Sequence, residues 1–149
     1  MRILLAIAMT LLATIQVRGG VANLDEARKL CDEIMRSIGT GDYKTAFDTA
    51  ALHWPMSKEE VDAMRAQTGE QLGMASRRFG DLIGTEFVTT EEAGRSLVRY
   101  VYLQKFQKHA TRWMIVFYRP RDAWLINVMV WDDQLHSLFD GAGGKGRER

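Results

Sequence analysis

The chain contains very little cysteine and proline. Of its 149 residues, one is a cysteine, Cys31, and two are prolines. A chain with a single thiol cannot form an internal disulfide, so its apolar core has to hold the fold. Cys31 itself falls on the apolar stripe of a predicted helix, which favours a small buried core residue over a reactive thiol. A disulfide scaffold is excluded.

Motifs of the common catalytic and metal sites are also missing. No two of the three histidines, His53, His109 and His136, are four residues apart, and the single cysteine forms no Cys–His cluster. Neither a G-x-S-x-G nucleophile elbow nor a GxxxxGK[ST] phosphate loop occurs. Asp132 and Asp133 are neighbours at a strand end, where successive side chains point to opposite faces. We therefore predict no catalytic residue, no metal site and no cofactor.

The net charge is small. It is +1 for the full sequence, and loss of a leader carrying Arg2 and Arg18 and no acidic residue leaves −1. A near-neutral body lacks the basic surface that nucleic acid or an anionic membrane requires. Basic residues in the middle of the chain indicate a charged sheet edge, with an anion-binding groove as the alternative. They are Arg77, Arg78, Arg95, Arg99, Lys105, Lys108, Arg112, Arg119 and Arg121.

Long hydrophobic runs are absent except at the N-terminus. There Arg2 precedes an apolar run from Ile3 to Ile15, which is shorter than the roughly 20 residues of a membrane span. This pattern is typical of a signal peptide, and the small residues Gly20 and Ala22 predict cleavage after Ala22. We therefore expect a periplasmic or secreted protein with no membrane span after cleavage. An uncleaved N-terminal anchor is the alternative.

Three amphipathic helices are predicted after the leader. The first begins near Leu24 and ends at Gly39 and Gly41, because glycine suits a helix C-terminal cap. The second starts at Asp42 and ends before Pro55, which disfavours helical geometry in the residue that precedes it. The third starts at a capping box formed by Ser57 and Glu60, and runs to about Arg77.

After Asp81 the apolar period changes from helical spacing to alternation. The pattern predicts four strands joined by short links, which makes antiparallel neighbours: Leu82–Thr89, Ser96–Gln107, Arg112–Arg119 and Ala123–Trp131. Helices followed by strands predict an α+β domain over residues 23–140, with helices packed on a curved antiparallel four-stranded meander. We expect the glycine-rich segment 141–149 to be a disordered tail.

The last two strands are apolar on both faces. Three helices can cover only one face of a sheet, so the second face needs another partner, and we predict a homodimer. Shielding of that face by sheet curvature and long basic side chains is the alternative. The expected dimer face consists of Met114, Val116, Tyr118, Met129 and Trp131.

Aromatic residues suggest a second feature. If the sheet curls around the first helix, an apolar pocket for a small ligand can form between them. The expected lining is Tyr43, Phe47, Trp54, Tyr100 and Tyr102. The alternative is that these side chains simply fill the core.

Several segments together resemble the nuclear transport factor 2-like superfamily of cone-shaped α+β domains. They are "GTGDYKTAFD", "SKEEVDAMRAQTGEQLGMASRRF" and "WLINVMVWDD". The middle segment is most similar to uncharacterised exported bacterial families of that superfamily. The resemblance implies a cone over residues 24–139 and does not fix a function, because one fold hosts many functions.

Enzymes of this superfamily place a carboxylate or histidine inside the cone. The strand positions here that might hold such groups are apolar or aromatic, apart from Asn127 and Arg99. We therefore expect an exported non-catalytic domain that dimerises through its sheet and binds a small apolar ligand. Two alternatives stay open: a small lyase or isomerase of the ketosteroid isomerase-like type, and a periplasmic protein-interaction subunit.

Overall fold

The computed structural model describes residues 19–140. Most of the expected leader and the whole expected tail lie outside these residues. The described chain forms three α-helices, four strands and a final 3-10 turn: α1 Leu24–Gly39, α2 Tyr43–Ala51, α3 Lys58–Phe79, β1 Leu82–Ala93, β2 Leu97–Phe106, β3 Ala110–Tyr118, β4 Leu125–Asp132 and η1 Leu135–Leu138. Between residues 19 and 140, no helix has both the length and the apolar composition needed to cross a bilayer.

Side-chain caps fix the beginnings of the three helices. Asn23 accepts a hydrogen bond from Glu26 N at the start of α1, and Asp42 accepts one from Thr45 N at the start of α2. Ser57 and Glu60 form the predicted reciprocal capping box at the start of α3. These caps satisfy N–H groups that have no partner within the helix.

The four strands form one antiparallel sheet in the order β1-β2-β3-β4. The prediction of three helices packed on a four-stranded antiparallel meander is confirmed. Strand β1 is longer than expected, because it continues to Ala93, opposite Leu97, and turns only at Gly94. Gly94 has φ +62°, a conformation that glycine adopts without a steric penalty.

The helices cover one side of this sheet, which we call the core face. Their buried side chains join those of the core face in one apolar cluster that includes Leu30, Ile34, Leu72, Trp113 and Phe117. The opposite side, which we call the outer face, contributes no residue to that cluster. The fold is therefore an open two-layer α+β arrangement, and none of the helices that the structure describes packs on the outer face of the sheet.

Candidate functional site

The outer face carries an apolar centre. The register of the four strands places the same-face neighbours Val101, Leu103, Met114, Val116, Val128 and Val130 there, with Leu97, Tyr118 and Leu125 beside them. Val130 and Tyr118 are each 41% exposed and Leu97 is 39% exposed. Val101 is buried although it does not belong to the helix-side core cluster. Contiguous exposed apolar surface of this kind marks interaction sites.

Three cross-strand ion pairs lie on the same face around the apolar centre. Glu91 pairs with Arg99, and the Glu86 carboxylate lies 3.1 Å from Lys105 Nζ. On the other side, Arg112 binds Asp132 through two hydrogen bonds of 3.1 and 2.6 Å. The face thus carries three acidic and three basic residues, and these charges cancel.

The Arg112–Asp132 pair is the most enclosed of the three. Only 14% of the Arg112 side chain and 26% of the Asp132 side chain are exposed, and Arg112 also donates to the Ser137 hydroxyl of η1. Burial acts to raise the pKa of Asp132, but the hydrogen bonds from Arg112 and Gln134 N outweigh it and hold the pKa below its usual value. The pair therefore ties the final turn to the sheet.

The structure corrects part of the expected dimer face. Met114, Val116 and Tyr118 lie on the outer face, whereas Met129 and Trp131 lie on the core face opposite Ile115 and Trp113. The cause is a β-bulge: Phe117 pairs with Ile126 and Val116 with Val128, so Asn127 is an extra residue in β4. An extra residue reverses the alternation of side chains beyond it.

Sequence reasoning missed several members of the outer face. Simple alternation along β4 predicts that Val128 and Val130 share the face of Trp124 and Ile126, but the bulge places them on the outer face. In β2 the apolar residues Leu97, Val101 and Leu103 were not assigned to a face. The signal for their face was present in "LVRYVYLQKF": these residues have odd numbers and alternate with the even-numbered residues of β2, which are buried on the core face.

The five residues of the expected ligand pocket are packed together in the core region. Phe47, Trp54, Tyr100 and Tyr102 are almost completely buried in the apolar cluster, and Tyr43 packs against it half-buried. The hydroxyl of Tyr100 donates to Leu24 O at 2.9 Å, and that of Tyr102 donates to Asp32 Oδ1 at 2.7 Å. These side chains thus fill space between helices and sheet, and the hydroxyls of the three tyrosines have protein partners.

Burial also determines the protonation of this region. It raises the pKa of Tyr100 to about 12, and burial together with the hydrogen bond to Asp32 raises the pKa of Tyr102. Burial likewise raises the pKa of the Cys31 thiol, so this cysteine stays a neutral apolar residue, as its position in the helix predicted. None of the three groups is poised to act as a base near neutral pH.

A buried amide that sequence reasoning did not single out organises the polar part of the core. Gln104 donates to Tyr43 Oη at 3.1 Å and to Ile38 O at 3.3 Å. It accepts from Trp113 Nε1 at 3.0 Å and from Thr111 Oγ1 at 3.3 Å. Every buried side-chain nitrogen or oxygen in the described region has a hydrogen-bond partner, which leaves no unpaired polar group there to receive a ligand.

A polar cavity of about 440 Å³ lies at the end of the molecule where α3, the β2–β3 turn and the segment after β4 meet. Its lining differs from that of the expected apolar pocket: Arg78, Phe79, Lys108, His109, Asp133, Gln134 and His136. The His109 and Phe79 rings are in contact, with their centroids 4.4 Å apart and their planes tilted by 51°. Two cationic side chains against one carboxylate suit a small anion better than an apolar ligand. Within residues 19–140, no group of three or more His, Cys, Asp or Glu side chains is placed to hold a metal ion.

The chain matches no family model, and no curated protein or solved structure shows significant similarity to it.

Proposed function

We propose that this protein is an exported module that forms a homodimer by packing the outer face of its sheet against the same face of a second copy. The observation that carries the proposal is the apolar centre of that face, which includes Met114, Val116 and Val130 and on which no helix of residues 19–140 packs. An apolar sheet surface gains free energy when a partner removes it from water.

The charges of the outer face favour a second copy over a strongly charged partner. In a two-fold symmetric interface the same patch meets itself, so a patch with net charge would repel its copy. Here three acidic residues balance three basic ones, and both signs flank the apolar centre. Each ion pair can therefore approach its symmetry mate without a net charge penalty.

The size of the face indicates a reversible dimer. With the usual strand spacing and rise per residue, four strands give a surface of roughly 19 by 26 Å, or about 500 Å² per copy. Specific interfaces bury about 800 Å² per partner, and weak ones bury less. We therefore expect association in the micromolar range, with a dimer fraction that rises with concentration.

The order of three helices followed by four antiparallel strands supports the proposed nuclear transport factor 2-like fold. The space between helices and sheet gives no support to the lyase or isomerase alternative, because Gln104 and the tyrosines are hydrogen-bonded within the protein. The aromatic side chains of the expected pocket fill the space between helices and sheet, so the proposal does not include a small apolar ligand.

Sedimentation velocity from low to high micromolar concentration tests the dimer. The unaltered protein should shift from monomer to dimer, and Val130→Glu should stay monomeric because it would bury an unpaired carboxylate of each copy in the apolar interface. The matched control is Met74→Glu, which changes an apolar residue that is 54% exposed on α3. A strictly monomeric unaltered protein, or loss of the dimer in the control alone, overturns the proposal.

A further inference from the structure

The four residues that precede α1 are built into the fold. Val21 pairs with Trp124, the residue immediately before β4, as an antiparallel bridge, with Val21 N donating to Trp124 O and Trp124 N to Val21 O, both at 2.9 Å. The Val21 side chain is 8% exposed and belongs to the apolar core cluster. This isolated bridge therefore holds the short segment against the chain that leads into β4.

The two preceding glycines fit this arrangement. A Cβ on Gly20 would lie 2.5 Å from Trp124 O and 2.9 Å from Ala123 Cβ, so only glycine allows this close approach. His53 Nδ1 donates to Gly19 O at 2.8 Å, which holds the segment against the link between α2 and α3. Small residues that suit a signal peptidase are, at this place, also what the packing requires.

Ala22 is tied to the first helix. Its N–H donates to the Glu26 carboxylate at 2.9 Å, while Asn23 caps α1 with its side chain. A cut between Ala22 and Asn23 would remove that donor and create an ammonium group on the capping residue. Positive charge is unfavourable at a helix N-terminus, because the helix dipole is positive there.

We infer that the mature protein retains Gly20, Val21 and Ala22, which we call the N-terminal clasp, and that leader processing takes place on the N-terminal side of Gly20. This inference replaces the cut after Ala22 that the small residues Gly20 and Ala22 predict. A cut there would expose Trp124, a core residue that is 5% exposed, and would leave its backbone N–H and C=O without partners at the sheet edge.

The intact mass of the protein, expressed as the full chain and isolated after export by a bacterial host, tests the inference. A processed chain that begins at Gly20 or at an earlier residue supports the inference, whereas an unprocessed chain overturns its statement that the leader is cut. A chain that begins at Val21, Ala22 or Asn23 overturns it.

Substitution within the clasp gives a second readout that does not depend on the dimer. Val21→Ala in the full chain should lower the mass of the exported protein by two methylene groups and its melting temperature by roughly 3–8 °C. If the segment is removed during export, the mass and melting temperature of the product do not change. A retained Val21→Ala chain with an unaltered melting temperature also overturns the clasp.

Val88→Ala is the matched control. It makes the same chemical change at a valine in β1 that is 37% exposed, and this residue is present in the mature chain under either outcome. Its mass should fall by the same amount, whereas its melting temperature should hardly change, because little apolar contact is lost. A drop equal to that of Val21→Ala would assign the effect to valine loss in general and overturn the clasp.

Discussion

The two faces of the sheet are made by the same strands but differ in what their side chains contact. On the core face, the large apolar side chains Trp113, Ile115 and Phe117 pack under the helices, and the one buried amide, Gln104, has four protein partners. On the outer face, apolar residues occupy the centre and ion pairs lie around it. Polar groups on the first face serve packing within one chain, whereas charges on the second are arranged where a partner can meet them.

The comparison of the two faces predicts its largest effect on stability for alanine substitutions at two neighbouring residues of β3, one on each face. Phe117→Ala should lower the free energy of unfolding by about 3–5 kcal/mol, since a completely buried ring leaves a cavity. Val116→Ala, one residue earlier and facing outward, should cost about 1 kcal/mol or less in the monomer. Urea unfolding, at a protein concentration too low for the dimer to form, measures the free energy of unfolding of both variants. Equal losses for the two variants would contradict the assignment of the faces.

A smaller effect is expected for the polar part of the core. Gln104→Leu keeps the volume but leaves Trp113 Nε1 and Thr111 Oγ1 without an acceptor, which should cost about 2–3 kcal/mol. Gln71→Leu, at an exposed position of α3, is the control and should change stability by less than about 0.5 kcal/mol. Chemical unfolding of both variants decides whether the network stabilises the fold or is replaceable by an apolar side chain.

The smallest effect is a pH dependence located on the outer face. The pKa of Asp132 is lowered in the folded protein, so its contribution is complete above the unfolded pKa of about 3.9 and is lost as pH falls through the folded value. Asp132→Asn should therefore cost about 1 kcal/mol at neutral pH, and the difference from the unaltered protein should shrink with acidification below about pH 4.

Asp133→Asn is the control for this substitution. Asp133 is the exposed neighbour of Asp132 and makes no ion pair with any residue from 19 to 140. At neutral pH the free energy of unfolding of this variant should lie within about 0.5 kcal/mol of that of the unaltered protein, because no ion pair is lost. If Asp132→Asn is as stable as the unaltered protein at neutral pH, the ion pair does not hold the final turn in place.

Local signals in the sequence were sufficient to predict the helices and the order of the strands. Caps at Asn23, Asp42 and Ser57 act within three residues, so their effect is readable from the chain alone. The expected end of α3 near Arg77 is close to the observed end at Phe79, although Gly69 and Gly73 lie inside the helix. Packing of Leu72 in the core compensates for their low helix propensity.

Features that depend on contacts between distant segments were not predictable. The bulge at Asn127 is a matter of register between β3 and β4, and periodicity along one strand does not reveal it. The position of Val21 depends on Trp124, more than one hundred positions later in the sequence. The partners of Gln104 come from α1, α2 and β3. In each case the decisive neighbour is close in space and remote in sequence.

The bulge makes β4 unequally tolerant of changes in its length. Asn127 has no partner of its own in β3, and Ile126 and Val128 already point to opposite faces. Deleting Asn127 would join two residues with ordinary alternation, and every later side chain, including Met129 and Trp131, would keep its surroundings. Loss of any one residue between Val128 and Trp131 would instead move every later side chain of the strand to the opposite face of the sheet. Asn127 is thus the one position of β4 whose deletion leaves every later side chain of the strand on its present face of the sheet.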